Sequence, residues 1–158
     1  RRGECELAAT KLGLSSLRFL EPDHINALGD HPVLMKRARH VMTENRRVHA
    51  MVTALRSGDK HCAGALLSES HESLRDDFAV SCGSVDRLVA LAQAEEGVLG
   101  ARMTGGGFGG CVIVLVRSEV VDAAAKAICR RYTEYADKPT VCFTVDAVAG
   151  AREMNTSV

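Results

Sequence analysis

The stretch Met103-Thr104-Gly105-Gly106-Gly107-Phe108-Gly109-Gly110-Cys111 decides how the second half of this chain folds. Five of the six residues from 105 to 110 are glycine, so the backbone there can adopt positive φ repeatedly and can lie close to another backbone or to an anion. Residues 111–116 are apolar and mostly β-branched, and residues 98–103 are also strand-like. We therefore predict two strands joined by a glycine loop, residues 104–110.

The glycine loop matches several nucleotide-binding motifs in its letters alone. Gly105-x-Gly107-x-x-Gly110 satisfies the dinucleotide fingerprint, but that motif requires a helix after the loop, and here a strand follows. The protein-kinase pattern is excluded because Val-Ala-Ile-Lys, His-Arg-Asp and Asp-Phe-Gly are absent, and no Gly-Lys-Ser/Thr marks a P-loop. Five glycines nevertheless exceed what a structural turn needs, so the loop is the best candidate site.

Composition and charge limit the class of protein. The 158 residues, 46% of them hydrophobic, suffice for one domain, residues 1–150, followed by a small polar tail, residues 151–158. Twenty basic and twenty acidic residues cancel, which argues against nucleic acid or a membrane as a partner, and no apolar run approaches the roughly 20 residues of a membrane span. Six scattered cysteines without Cys-x-x-Cys are expected to be buried thiols of a reducing cytoplasm.

Hydrophobic periodicity predicts helices on both sides of the strands. The longest carries one apolar stripe, from Leu34 to Leu55, and a charged face with Arg37 that should be solvated. Gly58 ends this helix and Asp59 caps the next, so the two should form an antiparallel hairpin. The helical patterns cover residues 2–12, 22–29, 32–56, 59–78, 84–96 and 118–135.

A last strand is predicted over residues 140–145, so the second half reads α-β-β-α-β. Helices that cover one face of a mostly antiparallel sheet define the α+β class. The predicted fold is a ferredoxin-like two-layer α/β sandwich with the helical hairpin added on its N-terminal side.

Polar side chains outside the glycine loop are further candidates for the functional site. Ser70 interrupts an apolar stripe, and Arg75 and Asp76 follow it on the same helix; the alternative for all three is a satisfied network at a helix end. Arg102 lies two residues before Thr104 on one strand and should share its face. It either supplies a cation to the loop or pairs with an acid such as Asp76.

Histidines do not form a recognisable catalytic or metal site. His71 is adjacent to Ser70 on a helix, so the two point in different directions and do not act as nucleophile and base. His40 and Glu44 are four residues apart on one helix, but no second ligand pair with zinc spacing accompanies them. We assign no metal site and no catalytic residue to this chain.

Three stretches together resemble one family. Residues 102–111 resemble the third sequence motif of galactokinases, which are GHMP small-molecule kinases. Residues 70–82, Ser-His-Glu-Ser-Leu-Arg-Asp-Asp-Phe-Ala-Val-Ser-Cys, resemble a segment typical of galactokinases, and residues 39–46 resemble a helical arginine-histidine signature. Residues 1–12 resemble the helix that precedes it, and since the chain opens inside that helical pattern, we expect it to be a piece of a longer protein.

The resemblance implies a GHMP kinase C-terminal domain from a cytoplasmic enzyme that uses ATP and Mg²⁺ to phosphorylate the anomeric hydroxyl of D-galactose. The family's sugar-binding motif, phosphate loop and catalytic aspartate are missing from this chain. The resemblance therefore implies that sugar and ATP bind together with a missing N-terminal domain, and that this chain alone is inactive and binds neither ATP nor Mg²⁺. It assigns to the sugar and phosphate cleft Thr104, Gly105, Gly106, Gly107, Phe108, Gly109 and Gly110.

Other functions stay open at this point. The parent protein could be a related kinase for N-acetylgalactosamine or galacturonate, or a non-catalytic galactose-sensing regulator. A free-standing interaction domain is a third alternative. The sequence that distinguishes them would lie before Arg1.

Overall fold

The computed structural model describes residues 1–137, 139–146 and 150, so the predicted tail, residues 151–158, lies outside the described residues. The two predicted strands that flank the glycine loop form, and so do the predicted helices, in the predicted order and with bounds within a few residues of those expected. The elements are α1 (Arg2–Lys11), α2 (Pro22–Asn26), α3 (Pro32–Ser57), α4 (Lys60–Asp76), α5 (Gly83–Gln93), β1 (Val98–Thr104), β2 (Cys111–Val116) and α6 (Val121–Ala136).

The sheet of the described residues consists of β1 and β2, which are antiparallel and joined by the glycine loop. Thr104 pairs with Cys111 next to the loop, and the ladder runs to Val98 opposite Val116. Helices α5 and α6 cover one face of this sheet. Their shared core is formed by Val89, Ala92, Ala101, Ala124 and Ile128. The domain is therefore of the α+β class, as predicted.

The predicted last strand, residues 140–145, is not a strand in this chain. Val141, Phe143 and Val145 alternate along the segment and are each at least 73% exposed. A strand needs the backbone hydrogen bonds of a neighbour, and among the described residues the sheet contains β1 and β2 only. The local pattern is typical of a strand, but the described residues provide no partner strand for it, so this prediction was wrong.

Helix α3 departs from its predicted stripe. Its first half is buried at Leu34 and Ala38, where α1 and α2 pack against it, whereas Val48, Val52 and Leu55 are exposed. On the charged face, Arg37 is only 6% exposed, so the expectation that this face is solvated was wrong for Arg37, although Lys36 and Arg39 are exposed. Both differences arise because the elements that pack against a long helix do not cover the same face along its whole length.

The cysteines also differ from expectation. Cys129 of α6 forms a disulfide with Cys142, which lies in the segment that returns along the helix. Among the free cysteines, Cys62 and Cys111 are exposed rather than buried. The expectation of six buried thiols was therefore wrong, because a 13-residue separation lets the chain turn back after α6 and bring two of the cysteines together.

Helix α4 packs on β1 through direct backbone contact. A Cβ at Gly64 would overlap the carbonyl group of Leu99, and a Cβ at Gly100 would overlap the carbonyl group of Gly64. Neither position can therefore carry a side chain unless helix and strand move apart.

Replacing Gly100 with alanine should destabilise the chain by about 1–3 kcal/mol, because the new methyl group forces α4 away from β1. Gly83→Ala is the matched control, since a Cβ there meets no atom within 4 Å. Urea denaturation of both variants measures the effect. Equal stability of the two variants would contradict this packing.

Candidate functional site

The glycine loop is an exposed turn with unusual backbone geometry. Gly105, Gly107, Gly109 and Gly110 all have positive φ, between 90° and 142°, and Phe108 has φ 60°. These values favour glycine because a Cβ is strained in this region. Four of the five glycines, all but Gly106, are therefore favoured by the path of the backbone itself.

The tip of the loop is held by the connection between α4 and α5, residues 77–82. Phe108 N–H donates to Val80 O at 2.6 Å. Gly107 lies so close that a Cβ there would be 2.8 Å from both Cβ and O of Val80. Its conformation and its close contact both exclude a side chain, so Gly107 determines where the loop lies.

Buried Arg37 holds the start of the α4–α5 connection. Its Nη1 donates to Asp77 O at 2.5 Å, and its Nε donates to Glu4 Oε2 at 2.6 Å. The hydrogen bond from Arg37 holds the pKa of the Glu4 carboxyl below its ordinary value. One guanidinium thus joins α1, α3 and the connection that carries the loop.

Arg1 contacts the same region from the start of α1. Its Nη2 donates to Ala79 O at 2.7 Å, and its guanidinium carbon lies 5.8 Å from the centroid of the Phe108 ring. Ala79 has φ 54°, a value that is costly for a residue with a Cβ. Arg37, Arg1 and Phe108 N–H together satisfy three carbonyls of the connection.

A second polar cluster surrounds Glu44 of α3. Ser70 Oγ donates to Glu44 Oε2 at 2.8 Å, and Arg47 Nε donates to Glu44 Oε1 at 2.5 Å. Arg102 Nη1 lies 3.7 Å from Glu44 Oε2, so Arg102 pairs with this acid and not with Asp76. The sequence had shown Glu44 only as half of a rejected metal pair, and no local signal indicated that it contacts Ser70 and Arg102.

Arg75 and Asp76 pair with each other at 2.8 Å on the surface of α4. Among the described residues neither makes a hydrogen bond or ion pair with the glycine loop. Asp76 instead helps to line a shallow surface cavity of about 360 Å³ between α3 and α4, which contains no loop residue. Its lining comprises Arg39, Thr43, Arg47, Glu69, Glu72, Ser73, Asp76 and Asp77.

His40 has a structural environment. Its Nδ1 lies 2.9 Å from Ser73 Oγ, and its ring stacks on Phe78 with centroids 4.3 Å apart. Burial lowers the pKa of His40, so the ring is neutral near pH 7. Within the described part of the chain, no cluster of three or more His, Cys, Asp or Glu side chains has the arrangement of a metal site.

The fold and the loop define a class of protein on comparison with known families. Residues 51–134 match the family model described as GHMP kinases C terminal, a region that includes α4, both strands and the loop. The chain belongs to the GHMP kinase family, as its C-terminal domain.

The relatives of this chain are galactokinases. This chain is 44% identical to the galactokinase of Streptomyces coelicolor, in an alignment that covers 98% of this chain. It is 46% identical to the galactokinase of Mycobacterium tuberculosis, in an alignment that covers 97% of this chain. The chain spans 41% and 42% of these two proteins. The crystal structure of Lactococcus lactis galactokinase complexed with galactose aligns with a TM-score of 0.80 and 39% identity, over 87% of this chain and 37% of that one.

Gly107→Ala should release the tip of the loop, whereas Gly106→Ala should leave it in place. A Cβ at Gly106 meets no atom within 4 Å, while at Gly107 it meets Val80 and requires positive φ. A cost on the order of 1–3 kcal/mol should raise amide exchange at Phe108 roughly tenfold or more. Hydrogen exchange followed by NMR measures this, and equal rates in the two variants would contradict the contact with Val80.

Arg37→Met should lower the free energy of unfolding by about 2 kcal/mol, because Asp77 O and the Glu4 carboxylate lose a buried donor. Arg39→Met is the control. The side chain of Arg39 is 46% exposed and pairs with Asp77 Oδ1 at 3.1 Å, so its loss should cost about 0–1 kcal/mol. Chemical denaturation compares the two variants. A larger loss for Arg39→Met than for Arg37→Met would contradict this assignment.

Proposed function

We propose that this chain is the C-terminal domain of a galactokinase, which transfers the γ-phosphate of ATP to the C1 hydroxyl of D-galactose and forms galactose 1-phosphate. Membership of the GHMP kinase family supports the reaction class. Similarity to galactokinases over at least 97% of the chain supports the sugar.

The observation that carries the proposal is the geometry of the glycine loop. Gly105 and Gly106 are exposed, and their amides make no hydrogen bond to any described residue, while the tip is fixed at Val80. Free amides on a fixed, side-chain-free loop suit oxygen-rich ligands such as a phosphate or a sugar. Phosphoryl transfer depends on such positioning and charge stabilisation more than on covalent chemistry by the protein.

ATP and Mg²⁺ would be held mainly outside this chain. When bound, they supply the phosphoryl group and neutralise its charge. The free amides of the loop fit a phosphate or sugar oxygen, but the described residues offer no cluster of carboxylates for a divalent cation. We propose that the loop forms one wall of a cleft whose other wall belongs to the N-terminal domain.

The complete C-terminal domain is proposed to be a ferredoxin-like sandwich with α3 and α4 as an added helical hairpin. Ile113 of β2 is half exposed, and Val141, Phe143 and Val145 form an exposed apolar alternation that pairs with no strand among the described residues. A further strand from the rest of the protein could lie between β2 and residues 140–145. It would give β2 a second neighbour and residues 140–145 a partner strand. The predicted last strand would then form in the intact protein.

The proposed compartment is the cytoplasm, and the proposed partners are a sugar and ATP. Balanced charge gives no general attraction to nucleic acid or to a membrane surface. Within the described residues, no helix is both long enough and apolar enough to cross a bilayer. The Cys129–Cys142 disulfide instead favours an oxidising compartment. Alkylation followed by mass spectrometry of protein isolated from cells would determine whether these two cysteines are oxidised.

The chain alone should produce no galactose 1-phosphate from ATP, Mg²⁺ and galactose, whereas the intact protein should. In the intact protein, Gly107→Ala should lower kcat/KM by roughly tenfold or more, and Gly106→Ala should change it less, because only the former displaces the loop. A coupled ADP assay measures both. Turnover by the chain alone, or preference of the intact protein for N-acetylgalactosamine or galacturonate, would overturn the proposal.

A further inference from the structure

His71 of α4 is a buried histidine that the proposed function does not yet use. Its side chain is 3% exposed and lies between β1 and α5. Its Nδ1 accepts a hydrogen bond from Met103 N–H at 3.4 Å. Its Nε2 lies 3.3 Å from Asp86 Oδ1 without the alignment of a hydrogen bond, and it has no other partner among the described residues.

The contact with Met103 determines the protonation state of the ring. A backbone N–H can only donate, so Nδ1 must carry a lone pair and the neutral ring must hold its proton on Nε2. That proton then faces the Asp86 carboxylate. In a doubly protonated ring, Nδ1–H would oppose Met103 N–H, and this contact would be lost.

Met103 lies in β1 immediately before the glycine loop. Its own side chain is 1% exposed, and Thr104 follows it as the last residue of β1. The loop is therefore held at two points, at its base by Met103 N–H on His71 and at its tip by Phe108 N–H on Val80.

Asp86 connects these two points. Ser81, next to Val80 in the α4–α5 connection, donates from Oγ to Asp86 Oδ1 at 2.5 Å. The same carboxylate oxygen faces His71 Nε2. A continuous path of contacts thus runs from the base of the loop through His71, Asp86 and Ser81 to the residue that holds its tip.

We propose that His71 and Asp86 are positioning residues that fix the base of the glycine loop relative to its tip, and that they do so only while His71 is neutral. The proposal deepens the proposed function, because it names the residues that place the loop for a phosphate or sugar ligand. His71 does not touch the ligand; it acts through Met103.

The surroundings of His71 as a whole favour a neutral ring at pH 7. Burial is the main cause and lowers the pKa of His71, Asp86 of α5 raises it, and Arg75 of α4 and Arg102 of β1 lower it further. With a lowered pKa, the unfolded chain binds more protons than the folded chain below about pH 6.5. This contribution to stability is therefore complete above that pH and is lost as the pH falls.

Two substitutions separate the roles of the two ring nitrogens. His71→Asn places an acceptor near the position of Nδ1 and has no titrating group, so it should keep the contact with Met103. His71→Gln reaches toward Asp86 instead and should lose that contact. Exposed His49→Ala is the control for removing a histidine.

Hydrogen exchange in the 158-residue chain, corrected for the intrinsic effect of pH, tests the proposal without any assay of activity. We expect His71→Gln to raise exchange at Met103 and Phe108 roughly tenfold or more relative to Ala92 in the core, and His71→Asn to raise it much less. In the unsubstituted chain, protection of Met103 should fall as His71 is protonated, and in His71→Asn it should not. Equal loss of protection at Met103 and Ala92 would indicate a purely structural role and overturn the proposal.

A measurement without substitutions covers the case in which variants do not fold. The ¹⁵N shifts of His71 should show the neutral ring with its proton on Nε2, and the opposite tautomer would overturn the proposal.

In the intact protein, His71→Gln should lower kcat/KM for galactose phosphorylation roughly tenfold, with His71→Asn close to the unsubstituted protein. An intact protein that does not phosphorylate galactose would refute the proposed function, whereas the exchange data would still decide the role of His71.

Discussion

The contact between α4 and β1 at Gly64 and Gly100 is the constraint on which the rest of the site depends. Because neither residue has a side chain, the helix lies directly against the strand. Two turns further along α4, His71 then contacts Met103 near the end of β1 that leads into the glycine loop. A side chain at either glycine would separate the two elements, and His71 would no longer reach the amide of Met103.

The loop has little internal support, so its position depends on polar groups elsewhere. Its glycines contribute no side-chain packing, and ordering them carries a large entropic cost. The α4–α5 connection compensates because its carbonyls are bound by Arg37, Arg1 and the amide of Phe108. Burying Arg37 is costly unless its donors are satisfied, and Glu4 and the backbone satisfy them.

Local signals in the sequence predicted the elements well. Gly58 ends α3 with φ 73°, and Asp59 caps α4 by accepting from Cys62 N–H at 2.9 Å, as their residue types indicated. The strand-loop-strand arrangement at the glycines was also correct, because β-branched runs and consecutive glycines each have strong local preferences. Residues 140–145 also have a local strand pattern, but a strand forms only beside another strand.

Local patterns in the sequence therefore specify the order of the helices and of the two strands at the glycines, the α+β class and the glycine loop as the candidate site. Tertiary structure alone decided that Glu44, not Asp76, pairs with Arg102, that Arg37 is buried, and that His71 reaches the base of the loop. The physical reason is the range of the interactions. Caps, turns and periodicity act between residues a few positions apart, whereas these contacts join residues 32 or more positions apart that meet only after the helices and β1 have packed together.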